Sequence, residues 1–114
     1  MKNEAEFRKH LKQMGKKPDV VDGLIKELHH FEDWLLIYKG KALESAIAED
    51  LHSYALQLSK GEIKIYMRAL ALVFRWLGND ELRDMAHSMR EAETSKTRRV
   101  FNLREFQGVN PEVI

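Results

Sequence analysis

The chain has 114 residues, 44% of them hydrophobic and 32% charged, which suits one folded core and does not suit a disordered polymer. It contains no cysteine, which excludes a disulfide scaffold, a thiolate nucleophile and any cysteine-ligated metal. The net charge is only +1, so a surface for polyanions has to arise from how charge is distributed. Cations do cluster: Arg8, Lys9, Lys12, Lys16 and Lys17 lie near the start, and Lys96, Arg98, Arg99 and Arg104 near the end. No apolar run approaches the roughly 20 residues of a membrane span. The opening MKNEAEFRKH has no apolar signal-peptide core, so a cytoplasmic protein with no membrane partner is expected.

The first predicted helix runs from Asn3 to Met14, with Phe7, Leu11 and Met14 as its apolar stripe and Gly15 as its stop. The second runs from Pro18 to Tyr38. Pro18 fits a first helical turn, and Asp19 and Asp22 suit the positive end of the helix dipole. Val21, Leu24, Leu28, Phe31, Leu35 and Tyr38 recur at helical spacing, so one face is core. Gly40 ends this helix, and the internal Gly23 suggests close packing against a neighbour. A third helix is expected from Ile47 to Ser59, separated by Gly61 from a fourth.

The fourth stretch, Glu62 to Leu77, is apolar almost all round, which predicts a central helix buried by several neighbours. Leu70, Val73 and Trp76 are expected to be inaccessible. At about 100° per residue, Lys64, Arg68 and Arg75 share one edge beside Ala71. That stripe is either a polyanion-facing edge or simply a solvated one. Gly78 ends the helix, Asn79 caps a fifth, and Asp80, Glu81 and Asp84 suit the fifth helix's first turns. Leu82, Met85, Ala86 and Met89 form its apolar stripe, which is expected to end near Glu93. The fold class is therefore all-α: a compact bundle of four to five helices around a central buried one.

The order of residues resembles a known family. Phe31-x-x-Trp34-Leu35, Ala48-Glu49-Asp50-Leu51-x-x-Tyr54, Ile63-x-x-Tyr66-x-x-Ala69-Leu70-x-x-x-Phe74-x-Trp76-Leu77 and Asn79-x-Glu81-Leu82 carry the likeness. Over roughly residues 4 to 90 the chain is similar to the N-terminal SAM-like, core-binding domain of tyrosine recombinases and phage integrases. Ile47 departs from that pattern, which often has a Ser or Thr cap there; Ser45 is the nearest substitute. The resemblance implies a helical domain that clamps duplex DNA beside a separate catalytic domain. It also implies that the second and fourth helices approach the DNA. The Lys64, Arg68 and Arg75 stripe lies on that implied fourth-helix face.

The segment Thr94 to Val100 has no periodicity. After it, Leu103-x-x-Phe106-x-Gly108-Val109-Asn110 resembles the first half of a helix-hairpin-helix motif, with Asn110 in place of its second glycine. The expected division is a DNA-binding domain at 1–93, a linker at 94–101, and at 102–114 the start of a second helical element, truncated within a larger protein.

No catalytic series is expected. His87-Ser88-Met89-Arg90 matches a His-x-x-Arg pattern, but no tyrosine follows Tyr66 to act as the nucleophile. His29 and His30 point about 100° apart on a helix and do not chelate one ion together. His29 with Asp33 would be two ligands at most, too few for a site. Neither metal nor cofactor is expected. The resulting expectation is a non-catalytic DNA-binding module of an integrase-like protein involved in DNA recombination. Its candidate contacts are Lys64, Arg68, Arg75, a second patch of Arg8, Lys9, Lys12, Lys16 and Lys17, and the linker cations Arg98 and Arg99. The expected partners are double-stranded DNA and a further C-terminal domain or another protein. The alternative is a helical protein–protein interaction domain.

Overall fold

The computed structural model describes residues 1–93. The expected linker at 94–101, the hairpin-like element at 102–114, and with them Arg98 and Arg99, lie outside the described residues. Helix α1 spans Glu4–Gln13, α2 Pro18–Lys39, a 3-10 turn Leu43–Ser45, α3 Ala48–Ala55 and α4 Lys60–Leu77. A fifth helix, α5, begins at residue 80 and occupies the described chain to residue 93. Among the described residues there is no strand, and the all-α expectation holds. No described helix is long and apolar enough to cross a membrane.

Among α1 to α4 the hub is α2, not α4. Helices α1, α3 and α4 and the 3-10 turn all pack against it. The reason lies in how its apolar residues are spread. Of the stripe read from the sequence, Val21, Leu24, Leu28, Phe31 and Leu35 are buried, and Ile25 and Trp34 extend it sideways; Tyr38, expected on the same face, is exposed in the last turn of α2. Helix α4 buries Met67, Ala69, Leu70, Ala71, Val73 and Phe74 against α2. Its other apolar residues are only partly covered: Ile65 is exposed, and Ile63, Tyr66, Leu72, Trp76 and Leu77 sit at the rim. Leu70 and Val73 are fully buried as expected. Trp76 is not: it is half-buried at the rim, against the α1 rings of Phe7 at 5.3 Å and His10 at 6.5 Å.

An aromatic cluster joins α2, α3 and α4. The Phe31 ring meets Tyr54 at 4.8 Å and Phe74 edge-on at 6.2 Å. The Tyr54 hydroxyl pairs with His30 Nδ1 at 2.6 Å, and the His30 ring stacks on Tyr66 at 4.6 Å. Burial pushes the Tyr54 phenol well above its ordinary range. Such ring pairs add specificity to apolar burial.

Helix ends follow local chemistry. Ser59 and Glu62 form a reciprocal capping box at α4: the Glu62 amide donates to Ser59 Oγ at 3.2 Å, and the Ser59 amide donates to Glu62 Oε1 at 2.9 Å. Gly61 therefore lies inside the first turn of α4 and does not separate two helices. Helix α3 stops at Ala55, short of the expected Ser59. Gln57 and Leu58 donate to carbonyls three residues back, and Ser59 then opens α4. The Ile47 departure is resolved without Ser45. The buried Asp50 carboxylate accepts from the Ile47 amide at 3.0 Å and from Lys41 Nζ at 2.7 Å. Burial works against the Asp50 charge, but Lys41 and the Ile47 amide outweigh it and hold the carboxyl below its ordinary range. Nothing lies within 4 Å of a side chain built at Gly23, so the expected close packing there is absent.

Candidate nucleic-acid interface

Two turns set up the groove that gathers the predicted cations. At the end of α1, Gly15 takes φ +89°, where a side chain would be strained. Its amide donates to the Lys12 carbonyl at 3.0 Å and the Lys16 amide to the Leu11 carbonyl at 3.1 Å. The chain doubles back there and presents Lys16 beside the first turns of α2. At the end of α4, Gly78 takes φ +79°. The Gly78 amide donates to the Arg75 carbonyl and the Asn79 amide to that of Phe74 at 2.8 Å, closing the helix end. Asn79 Oδ1 then accepts from the Leu82 amide at 3.1 Å and starts α5, as its position in the sequence predicts. Buried Leu82 and Ala86 dock α5 into the core.

These turns frame a half-open groove between α2, α4 and α5. It is lined by the basic side chains Lys16, Arg68, Arg75, His87 and Arg90 and by the apolar Val20, Leu24, Ala71 and Leu72, of which Leu24 and Ala71 are buried. None of these lining residues is acidic. The groove has a volume of about 320 Å³. Arg75 is exposed at its edge. Arg68 is 47% exposed, and its Nη2 lies 3.6 Å from Glu27 Oε1, an ion pair too long for a hydrogen bond. The pair orients Arg68 without enclosing it.

The structure sorts the candidate residues. Lys16, Arg68 and Arg75 come together although they belong to different predicted patches. Lys64 sits one turn nearer the start of α4, outside the groove, and is half-buried rather than open. Lys9, Lys12 and Lys17 do not line the groove; all three are exposed, and Lys17 adjoins Lys16 in the chain. Arg8 is not an open cation. It pairs with Asp22 at 2.8 Å and with Glu4 at 3.4 Å, and so ties α1 to α2. Glu4 also meets His29 at 2.5 Å, and His29 faces Glu32 at 3.8 Å. The hydrogen bond from His29 holds the Glu4 carboxyl below its ordinary range, helped by Arg8 and opposed by burial. His29 thus belongs to a polar strap between α1 and α2, through its hydrogen bond to Glu4. Among the described residues no three His, Asp or Glu side chains converge as metal ligands do.

Sequence reasoning missed His87 and Arg90 as members of the site. The signal is present, since residues three apart on a helix share a face. Read as a catalytic pattern the pair leads nowhere; read as one basic helix face it points to the groove. The groove combines cations with apolar side chains, and can bind an anion through charge and apolar contact together. No protein-family model, curated protein or solved structure gives a significant match to this chain.

Proposed function

We propose that the chain is a non-catalytic DNA-binding module of an integrase-like, cytoplasmic protein, and that it holds the backbone of duplex DNA along the α4 edge. The supporting observation is the convergence of Lys16, Arg68 and Arg75 on one groove whose described lining carries no acidic residue, with Glu27 facing Arg68 from outside it. Cations on a nearly neutral molecule produce a local positive field when they are gathered in this way. Phosphate contacts of this kind give affinity and orientation but little sequence preference. The α4 edge is also the face that the resemblance to core-binding domains implies. Lys64, one turn along, extends the line of charge, and Lys9, Lys12 and Lys17 add to its long-range field. In this role the catalytic groups and the remaining DNA contacts come from a partner domain. Amide shift mapping with a short duplex tests the placement: shifts at Lys16, Arg68 and Arg75 support it, and shifts confined to α3 and the far end of α2 oppose it.

A second reading, a protein–protein interaction domain, draws on one specific observation. Leu36, Ile37 and Tyr38 at the end of α2 are 66%, 72% and 68% exposed. Three successive large apolar side chains left in water are suited to a partner surface. Sedimentation over a concentration series, wild type beside Ile37→Lys, reads self-association through that end. A single species at every concentration excludes it.

A further inference from the structure

The cations of the groove explain attraction to phosphate, but its apolar lining does not. Exposed Val20 and half-buried Leu72 present apolar surface within the groove, backed by the almost fully buried Leu24 and Ala71. A duplex backbone presents phosphates and sugars and keeps its bases stacked inside, so it offers such a surface nothing to cover. An unpaired nucleotide presents both a charged phosphate and a flat apolar base. We infer that this groove takes an unpaired nucleotide, with its phosphate on Lys16, Arg68 and Arg75 and its base over Leu72 beside His87. The volume of about 320 Å³ lies at the small end of ligand sites, roughly 300–1,000 Å³, and suits one such unit rather than a longer folded segment.

The lining chemistry is of the right kind. Single strands are held by a positive groove that follows the backbone, together with flat side chains on which bases stack. Imidazole rings and guanidinium planes serve as stacking partners alongside the larger aromatic rings. Here His87 stands on α5 and Arg75 on α4, two of the helices that line the groove. Shape and stacking read the ligand in this arrangement, so preference among the four bases is weak.

The inference deepens the nucleic-acid reading above, and its test separates the two. Three probes are titrated against the full chain at low salt: an oligodeoxythymidine of about eight nucleotides, an abasic strand with the same number of phosphates, and a duplex. The expected result is that the base-bearing strand binds about fivefold more tightly than the abasic one, the lower end of what one stacked base contributes. Leu72→Ala should shrink that ratio toward one. His87→Ala, at an exposed position, should shrink it too. Equal affinity for the two single strands overturns the inference, as does a ratio unchanged in both variants. A base-bearing strand that binds with the predicted ratio while the duplex does not bind upholds this inference and removes the duplex reading. Failure of all three probes to bind removes both.

Discussion

Asp50 is the residue whose loss should most clearly expose how the bundle is held. It is 2% exposed and accepts two hydrogen bonds, from Lys41 Nζ at 2.7 Å and from the Ile47 amide at 3.0 Å. Lys41 follows the end of α2 and Ile47 opens α3, so one carboxylate fixes the angle between the two helices. In Asp50→Ala the Ile47 amide loses its acceptor, a capping loss of about 1 kcal/mol. The Lys41 ammonium loses its partner, but its side chain is 31% exposed and rehydrates, so that part is about 1 kcal/mol rather than the several expected of a fully buried pair. The sum is about 2 kcal/mol, or roughly 10 °C in Tm for a domain of this size. Asp50→Asn keeps an acceptor for the amide and should cost about half as much. The sign of the pH dependence follows from the lowered carboxyl. Its contribution is complete above the ordinary aspartate range and disappears as pH falls through the still lower folded value. The gap between wild type and Asp50→Asn should hold steady from pH 7 to about 5 and close in strong acid. Urea melts followed by circular dichroism measure both effects. A loss below about 0.5 kcal/mol for Asp50→Ala, or a gap that does not change down to about pH 2.5, would refute the argument.

Leu70→Ala, at a fully buried site, should cost about 2–5 kcal/mol, whereas Trp76→Ala at the rim should cost less than Leu70→Ala despite the larger side chain; denaturant melts of the pair decide it. Asn79→Ala removes the cap of α5 and should cost about 1 kcal/mol, with hydrogen exchange rising first in the opening turn of that helix. Because the Tyr54 phenol is raised by burial, its stabilising effect is present below the ordinary tyrosine range and is lost as pH climbs beyond about 10 toward the higher folded value; Tyr54→Phe should flatten the alkaline limb of a stability–pH curve.

The parts of the fold that were readable from sequence are those written in local chemistry. The recurrence of Val21, Leu24, Leu28, Phe31 and Leu35 marks one helix face whatever packs on it. Gly40, Gly78 and Asn79 mark helix ends because their backbone geometry and side-chain oxygen act within a few residues. Ser59 with Glu62 is equally local, but Gly61 masks it by looking like a break. What was not readable depends on which surfaces meet. Two helices are rich in apolar residues, and periodicity alone does not say which of them α1, α3 and the 3-10 turn pack against. The width of the α2 apolar face, with Ile25 and Trp34 beside the main stripe, decides it. Trp76 looks like core by its type and lies at the rim, half-buried against the α1 rings of Phe7 and His10. Arg8 has the spacing of a free cation, and its capture by Asp22 needs the turn at Gly15. The groove itself joins Lys16 to Arg90, residues far apart in the chain, so no window of sequence contains it.

The central claim is that the groove cations meet phosphate, and salt dependence tests it most directly. A labelled duplex is titrated at about 50 and about 200 mM salt with wild type and with a triple variant, Lys16→Gln, Arg68→Gln and Arg75→Gln. Each cation removed from a phosphate should lower the slope of log affinity against log salt by about one. With all three replaced, wild-type affinity should fall about 40-fold more than the variant's between those two salt concentrations. Near-ultraviolet and far-ultraviolet circular dichroism should match in the two proteins, since Arg75 and Arg68 are exposed and Lys16 is partly so. Slopes that are the same for wild type and variant, with both proteins folded and bound, would contradict the account.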